Sequence, residues 1–392
     1  MPSPKKPVAS AQNRAITSFE EKFAKTFGAG TLTRTEAINP YEVISTGSLA
    51  IDFALGVGGL LEGRLHEIWG PEGIGKSTIA LMHIACAQEK HPTKMAAYVD
   101  VEQKMDERWA AKHGVDLSRL YIYRPNNAED VADAVKEFVS SGLVSIVVID
   151  SIGAMIPEAE KAKDAGAAVM AAQAKIVTRM VKIAAAEAPK TGTEIFIVNQ
   201  VRANLSYGAD TTTGGGFALR HATTTKMKMR RTGTEAFKTK VNGEDVVVGH
   251  ELAITIERNG VAPAYRTAVI VMFNQDTEKY GPVGIDRADE AVTMGLKTHT
   301  IKQRGSWYDT PDGHNYNGRA ALVDAVRGDL TLQDQIRTRV LAIAAGTILM
   351  EETAPEEIPE EEVDPMEALK AKVEKGTTGK FRTSGSIAAA DS

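Results

Sequence analysis

A short apolar stretch, RLHEIW (64–69), runs straight into GPEGIGKST (70–78) and then into STIALMHIACAQ (77–88). A strand, a glycine-rich turn and a helix in that order, with G-x-x-x-x-G-K-S across the turn, make a phosphate loop. The pattern arises by chance in roughly one chain in a hundred of this length. A glycine turn that merely caps a helix would not need the lysine. Backbone N–H groups of Gly70, Pro71, Glu72, Gly73, Ile74, Gly75, Lys76, Ser77 and Thr78 surround the turn, proline excepted. Together with the positive end of the helix they can hold phosphate oxygens. Lys76 is placed to reach the β- and γ-phosphates of ATP, and Ser77 to ligate Mg²⁺. The loop alone does not say what the nucleotide is for.

The pattern around the loop is α/β. Strand candidates are RLHEIW, MAAYVDVE, LYIYRP, SIVVID, EIFIVNQ and TTKMKMR. Helical patterns fill several of the gaps between them. NNAEDVADAVKEFVSSG puts Val131, Val135, Phe138 and Val139 on one face. AAQAKIVTRMVKIAAAEA is another long helix. Alternating strands and helices imply a mostly parallel sheet. SIVVIDS (145–151) is an apolar run ending in a carboxylate, so Asp150 stands at the carboxyl end of a strand buried on both faces, where ligands bind. It suits the Mg²⁺ hydration shell, although an Asp there can also be a plain helix cap. AAYVDVEQKMD (96–106) ends in acids too. Glu102 is the candidate base that orients water on the γ-phosphate; taken by itself it reads equally as a solvated loop acid.

The ends of the chain differ from its middle. Residues 1–14, rich in Pro, Ser and Lys, read as disordered. ITSFEEKFAKTF (16–27) sets Ile16, Phe19, Phe23 and Phe27 at helical spacing. That helix either packs on its own domain or docks on a neighbouring subunit. From residue 284 the pattern changes to a small helical domain with a short turn or hairpin. There Thr331 reads as an N-cap for a helix carrying Leu332, Ile336, Val340 and Ile343. The last 42 residues hold 11 acids against 5 bases, so the net charge of −5 belongs to a tail, and the 350 residues before it are net +1. The average therefore does not argue against a nucleic-acid partner. The tail reads as disordered, either solubilising or an electrostatic gate that competes with DNA. A single cysteine, Cys86, in an apolar helix, fits buried packing and a reducing cytoplasm. There is no apolar leader and no run of about 18 apolar residues. The expectation is a cytoplasmic protein.

The stretches VISTGSLAIDFALGVGGLLEGRLHEIWGPEGIGKST, VDVEQKMD, GVD, VVIDS, FIVNQVR and TTTGG, in this order, resemble the bacterial RecA recombinase family. The resemblance runs from about Phe19 to near residue 345. It implies a RecA-type P-loop NTPase core with a mostly parallel sheet, an N-terminal helical arm and a small C-terminal α+β domain. The boundaries expected are 1–42 for the arm, 43–283 for the core, 284–350 for the small domain and 351–392 for the tail. It also implies roles. Lys76 and Ser77 match the phosphate and Mg²⁺ positions, and Asp150 the second Mg²⁺ contact. Glu102 matches the catalytic glutamate, and Gln200 the glutamine that senses the γ-phosphate and relays it to DNA. Trp109 stands where the family places an aromatic against the adenine, and Asp106 where a residue meets the base edge. Two loops would hold DNA, one around PEAEKAKDAGAAVMAAQ (157–173) and one at RANLSYGADTTTGGGFALR (202–220). In the second, Arg202, Tyr207, Thr211, Thr212, Thr213, Gly214, Gly215 and Arg220 are the expected contacts. TTTKMKMRR follows, with Lys226, Lys228 and Arg230 on one strand face; such a stripe is usually solvated.

The sequence also departs from the family pattern. Of two lysines that reach the neighbouring subunit's ATP, Arg258 stands at the first and Gly260 at the second, which leaves Arg258 as the trans cation. An aromatic that buttresses the subunit interface is His221 here. NQDTEKYGPV (274–283) reads as an insertion. The implied function is a DNA-dependent ATPase that polymerises head to tail on single-stranded DNA, pairs it with double-stranded DNA and exchanges strands. Its settings would be recombination, repair and the SOS response, with single-strand-binding and mediator proteins as further partners. The rival readings are a ring-forming helicase or branch-migration ATPase of the same core, and a regulator without catalysis.

Overall fold

Helix α1 (Ala11–Phe27) opens the computed structural model, which describes residues 11–28, 32, 41–158, 167–202, 212–213, 216–241, 244–278 and 280–348. The helix begins five residues earlier than its apolar spacing suggests. AQNRA is polar, but its two alanines, glutamine and arginine favour helix and it holds neither Gly nor Pro to break one. Ile16, Phe19 and Phe27 stay exposed, and Phe23 lies between the two phenylalanines, its ring tilted against theirs with centroids 5.8 and 4.5 Å away.

The body begins with β1 (Val43–Ile44), α2 (Leu49–Leu55), β2 (Leu60–Leu61) and β3 (Leu65–Gly70). The α/β units follow: α3 (Lys76–Lys90), β4 (Met95–Asp100), α4 (Glu107–Lys112), β5 (Leu120–Tyr123), α5 (Ala128–Ser141), β6 (Val144–Asp150), α6 (Ala167–Thr191) and β7 (Glu194–Arg202). Then come β8 (Thr212–Thr213), α7 (Gly216–Ala222) and the long strands β9 (Thr225–Val241), β10 (Glu244–Asn259) and β11 (Thr267–Phe273). The main sheet runs β11-β10-β9-β3-β7-β6-β4-β5. Its pairings from β9 through β3 to β5 are parallel, and β9-β10 and β10-β11 are antiparallel.

Burial on both faces makes β6 a near-continuous apolar run. Ile146 and Val148 enter the cluster that contains α2 and α3, while Val147 and Ile149 enter the one that contains α5 and α6. Local signals set the helix ends. Asn127 caps α5 by accepting from the Asp130 amide at 2.7 Å, and Gly142 closes the helix in the left-handed region. Helices therefore cover both faces of the parallel part, and the carboxyl ends of β3, β4, β6 and β7 line one edge.

After the sheet come α8 (Arg287–Lys297), the antiparallel meander of β12 (Lys302–Arg304), β13 (Trp307–Asp309) and β14 (Asn315–Asn317), then α9 (Arg319–Gly328) and α10 (Leu330–Ala344). The N-cap of α10 is Asp329, not Thr331. Its carboxylate accepts from the Thr331 and Leu332 amides at 2.9 and 3.1 Å, so Thr331 already lies inside the helix. Leu332, Ile336 and Val340 are buried as their spacing requires, and Ile343 is half-buried. Cys86 is buried. Among the described residues no helix is long and apolar enough to cross a membrane. The acidic tail, 351–392, lies outside the described residues.

Candidate functional site

The turn between β3 and α3 must come close to neighbouring backbone, and its glycines permit that. A Cβ on Gly70 would lie 2.4 Å from the Met229 carbonyl oxygen. Gly75 has φ +99°, and a Cβ there would meet the Met272 sulfur at 2.6 Å. Gly75 is the residue from which α3 departs, so the helix aims its free N–H groups into the turn. Lys76 is buried along its stem, and its Nζ donates to the carbonyls of Gly70 and Pro71 at 2.9 and 2.6 Å. Burial holds its pKa below the usual lysine value. Ser77 is exposed at the mouth of the same turn.

Three strand ends deliver the acids and amides. Asp150 closes β6, and its Oδ2 accepts from Ser77 Oγ at 2.5 Å and from Tyr98 OH at 2.6 Å. Burial raises the Asp150 pKa. Glu102 lies two residues past β4. Its Oε1 accepts from Ser151 Oγ and from Gln200 Nε2, both at 2.7 Å, and its Oε2 pairs with Lys104 Nζ at 2.9 Å. Partial burial pushes the Glu102 carboxyl up, but the hydrogen bonds from Lys104 and Ser151 outweigh it and hold the pKa below the ordinary value. Glu102 is thus kept as an ionised acceptor. Lys76, Ser77, Tyr98, Glu102, Lys104, Asp106, Trp109, Asp150 and Gln200 line one cleft together with Glu72 and Gly73. Register explains the convergence, because Gly70 pairs with Gln200 and Asp100 with Asp150. A hydroxyl and a carboxylate 2.5 Å apart are hard oxygen donors of the kind Mg²⁺ takes, so the residues present fit that ion.

Beside the cleft, Asp106 caps α4 by accepting from the Arg108 and Trp109 amides at 2.8 and 3.2 Å. Trp109 is half-buried, with its indole Nε1 3.4 Å from Thr78 Oγ1 and its ring 4.5 Å from that of His113. It also borders a second hollow with Gly73–Thr78, Arg231, His250 and Asn274. A flat face there can meet a base.

The other expected site residues are more scattered. Val201 and Arg202 of β7 pair with Thr213 and Thr212 of β8. The start of the second expected DNA loop is therefore laced to its middle directly after Gln200. Tyr207, Thr211, Gly214 and Gly215 lie outside the described residues. Arg220 is exposed on α7, as is His221, whose ring stacks 4.1 Å from the exposed Phe217. Arg258 is exposed on β10, away from the cleft of its own chain, and its guanidinium donates to the Arg220 carbonyl. Gly260 is exposed just beyond. Part of the first expected DNA loop is helical. Its residues 167–173 form the start of α6, and Gln173 is buried with its amide donating to the Ile152 carbonyl at 3.0 Å; 159–166 lie outside the described residues. The lysine stripe on β9 is engaged rather than freely solvated. Lys226 and Lys228 sit 5.1 and 4.9 Å from the centre of the Trp69 ring, with Lys226 3.6 Å from Glu67 and Lys228 4.0 Å from Glu257. Arg230 remains exposed.

Among the polar groups of the site, Tyr98 and Lys104 in the cleft and Ser151 behind Glu102 carry no sequence signal of their own. Only Ser151 stood next to a residue already marked, Asp150.

A parallel sheet with a phosphate loop after one strand, and acids at the ends of two others beside it, defines a P-loop nucleoside-triphosphatase core. Within that class the chain belongs to the RecA family: the family model described as RecA N-terminal domain matches residues 13–277. Curated relatives agree. Protein RecA of Cereibacter sphaeroides is 32% identical over 335 residues, covering 84% of this chain and 93% of that protein. Protein RecA of Delftia acidovorans is 32% identical over 337 residues, covering 84% and 88%. Protein RecA of Chlorobium limicola is 33% identical over 340 residues, covering 86% and 92%.

Proposed function

We propose that this chain is a cytoplasmic recombinase that hydrolyses ATP when bound to single-stranded DNA, assembles head to tail into helical filaments, and pairs and exchanges homologous strands. The observation that carries the reading is the convergence on one cleft of the Lys76 loop, the Ser77–Asp150 pair and the Glu102–Gln200 pair. The division into arm, core, small domain and tail at residues 43, 284 and 351 belongs to the same proposal.

In this reading the amides of 70–78 and the Lys76 ammonium hold the phosphates. Lys76 exchanges its two carbonyl partners for phosphate oxygens. Mg²⁺, when bound by Ser77 and through water by Asp150, supplies charge neutralisation. Glu102, ionised and held by Ser151, accepts a hydrogen bond from the attacking water and polarises it. Gln200 leaves Glu102 to donate to the γ-phosphate. Because β8 is laced to the end of β7, that movement pulls on the second loop, where Arg202, Tyr207, Thr211–Thr213, Gly214, Gly215 and Arg220 meet DNA. Arg258 completes the site of the neighbouring protomer, whose transition-state charge it stabilises. Base pairing reads homology, while the protein grips phosphates.

The test is ATP hydrolysis with and without single-stranded DNA, alongside Lys76→Ala. Strong stimulation that the substitution removes supports the reading and leads to a strand-exchange assay. Turnover indifferent to DNA overturns it in favour of another ATPase of this core. Rings in place of helical filaments under the electron microscope would overturn the filament part.

A further inference from the structure

We propose that Tyr98 is a positioning residue for the metal half of this site: its hydroxyl fixes the rotamer of Asp150 so that the carboxylate meets Mg²⁺ together with Ser77. The inference rests on the reading of the cleft as a MgATP site.

Tyr98 lies on β4, paired with Val148 of the neighbouring parallel strand. Asp150 is two residues further along that strand, so it points to the same side of the sheet. The two positions are diagonal neighbours across the pair, a separation that a long aromatic side chain spans and a short polar one does not. The Tyr98 ring is buried in the cluster with Ile146, Val148, Phe196 and Val198, which leaves it one way to point. Its hydroxyl emerges at the floor of the cleft and donates to Asp150 Oδ2 at 2.6 Å. Ser77 Oγ donates to the same oxygen at 2.5 Å. Two donors from two different elements thus converge on one carboxylate oxygen. They fix the plane of the group and leave its other oxygen, Oδ1, for the water shell of a cation. An ordinary phenol keeps its proton well above neutral pH, so Tyr98 is the donor of this pair.

A phenylalanine would fill the same space, so Tyr98 does not owe its place to packing. What the hydroxyl adds is orientation of the Asp150 carboxylate. Partners that orient a metal's ligands typically contribute about 10- to 100-fold in metal affinity. An indirect contact through water belongs at the lower end of that range.

The experiment uses the full chain and a fluorescent ATP analogue whose binding is titrated with Mg²⁺ and, separately, measured in EDTA. Tyr98→Phe is expected to raise the Mg²⁺ concentration for half-maximal tight binding roughly tenfold, with EDTA binding and the thermal unfolding midpoint unchanged. Combined with Asp150→Asn, it should add nothing further, because it acts through that carboxylate. An unchanged Mg²⁺ curve for Tyr98→Phe overturns the inference, as does a shift that persists in the Asp150→Asn background. Equal loss of binding in EDTA would make the residue structural and overturns it too. If the wild-type chain binds the analogue with no response to Mg²⁺, the MgATP reading of the cleft fails first.

Discussion

Gln200 Nε2 donates to Glu102 Oε1 across 2.7 Å, joining the end of β7 to the segment after β4. The carboxylate that would polarise water and the amide that would sense phosphate hold each other. The same strand continues within two residues into its pairing with Thr212 and Thr213. In the proposed reading, one hydrogen bond therefore separates the chemistry from the segment that meets DNA.

Gln200→Ala should break that link while leaving the nucleotide cradle intact. The expected result is nucleotide binding within about threefold of wild type and a loss of roughly 100-fold in DNA-stimulated turnover, the scale of a lost general-base or positioning contact. Glu102→Gln should lower turnover at least as far, with or without DNA. Steady-state kinetics at several DNA concentrations separates the two. A Gln200→Ala protein that is still fully stimulated would show that the link is only structural.

Arg258 and Gly260 invite a paired test. Arg258→Ala should lower turnover by about 10³-fold or more if its guanidinium stabilises charge in the neighbouring site. Mixing it with Lys76→Ala protomers should restore part of the activity, since each mutant supplies what the other lacks. Gly260→Lys runs the other way. The backbone there is not left-handed, and an added Cβ would press on the Thr224 methyl at 2.9 Å while the Thr224 carbonyl oxygen stays at ordinary contact, 3.6 Å, so the Thr224 side chain must shift. Turnover should rise several-fold, roughly 3- to 10-fold, where a second cation reaches the phosphates. Purified mixtures assayed for phosphate release decide both.

Glu290 sets a pH dependence. It is half-buried on α8, and its carboxyl group takes hydrogen bonds from Ser48 Oγ at 2.5 Å and from the amides of Leu49 and Ala50 at 2.8 and 3.3 Å. Burial raises its pKa to about 7, against those hydrogen bonds, and Asp52 nearby, itself paired with Arg337 at 3.0 Å, adds to the rise. The folded state therefore holds a proton that the unfolded chain loses near 4.5. Stability from this group is full below about 4.5 and is lost as pH climbs through about 7. The span is worth on the order of 3 kcal/mol. Denaturant midpoints should fall between pH 5 and pH 8, and Glu290→Gln should flatten that slope even though it weakens the cap on α2. A slope that survives the substitution would assign the effect to another group.

Much of the core could be read from the residues because its signals are local. The strand-turn-helix at 64–88, the apolar run ending at Asp150 and the spacing of Val131, Val135 and Val139 each depend on neighbours in the chain. Two partners of Glu102 could not be read that way. Ser151 and Gln200 reach it only because β4, β6 and β7 are adjacent and in a particular register, a long-range fact. Lys226 and Lys228 went the same way, since Glu67, Glu257 and Trp69 come from strands on either side. The start of α6 was hidden differently: an alanine-rich stretch has strong helix propensity, but it sat inside a segment recognised as a loop by resemblance. At α10 the sequence reading takes Thr331 as the cap and the structure has Asp329 there, because both residue types can cap and the backbone angles choose.

Helix α1 carries the last prediction. Ile16, Phe19 and Phe27 are exposed along it, and Phe23 is half-buried between two aromatic rings of the same helix. An apolar stripe left open in this way belongs against another surface. In a head-to-tail filament that surface is a second copy of this chain. Phe19→Ser with Phe27→Ser should leave the nucleotide site untouched, because no part of the cleft comes from α1. ATP-analogue binding should therefore hold within about twofold, while assembly on single-stranded DNA weakens by roughly 30-fold or more, as the loss of two buried aromatics predicts. Sedimentation and microscopy of the double mutant on DNA measure the assembly. DNA-stimulated hydrolysis should fall with it if, as proposed, Arg258 acts on the ATP of the neighbouring protomer. Wild-type filaments from the double mutant would place the contact elsewhere on the chain and leave α1 a helix of its own protomer.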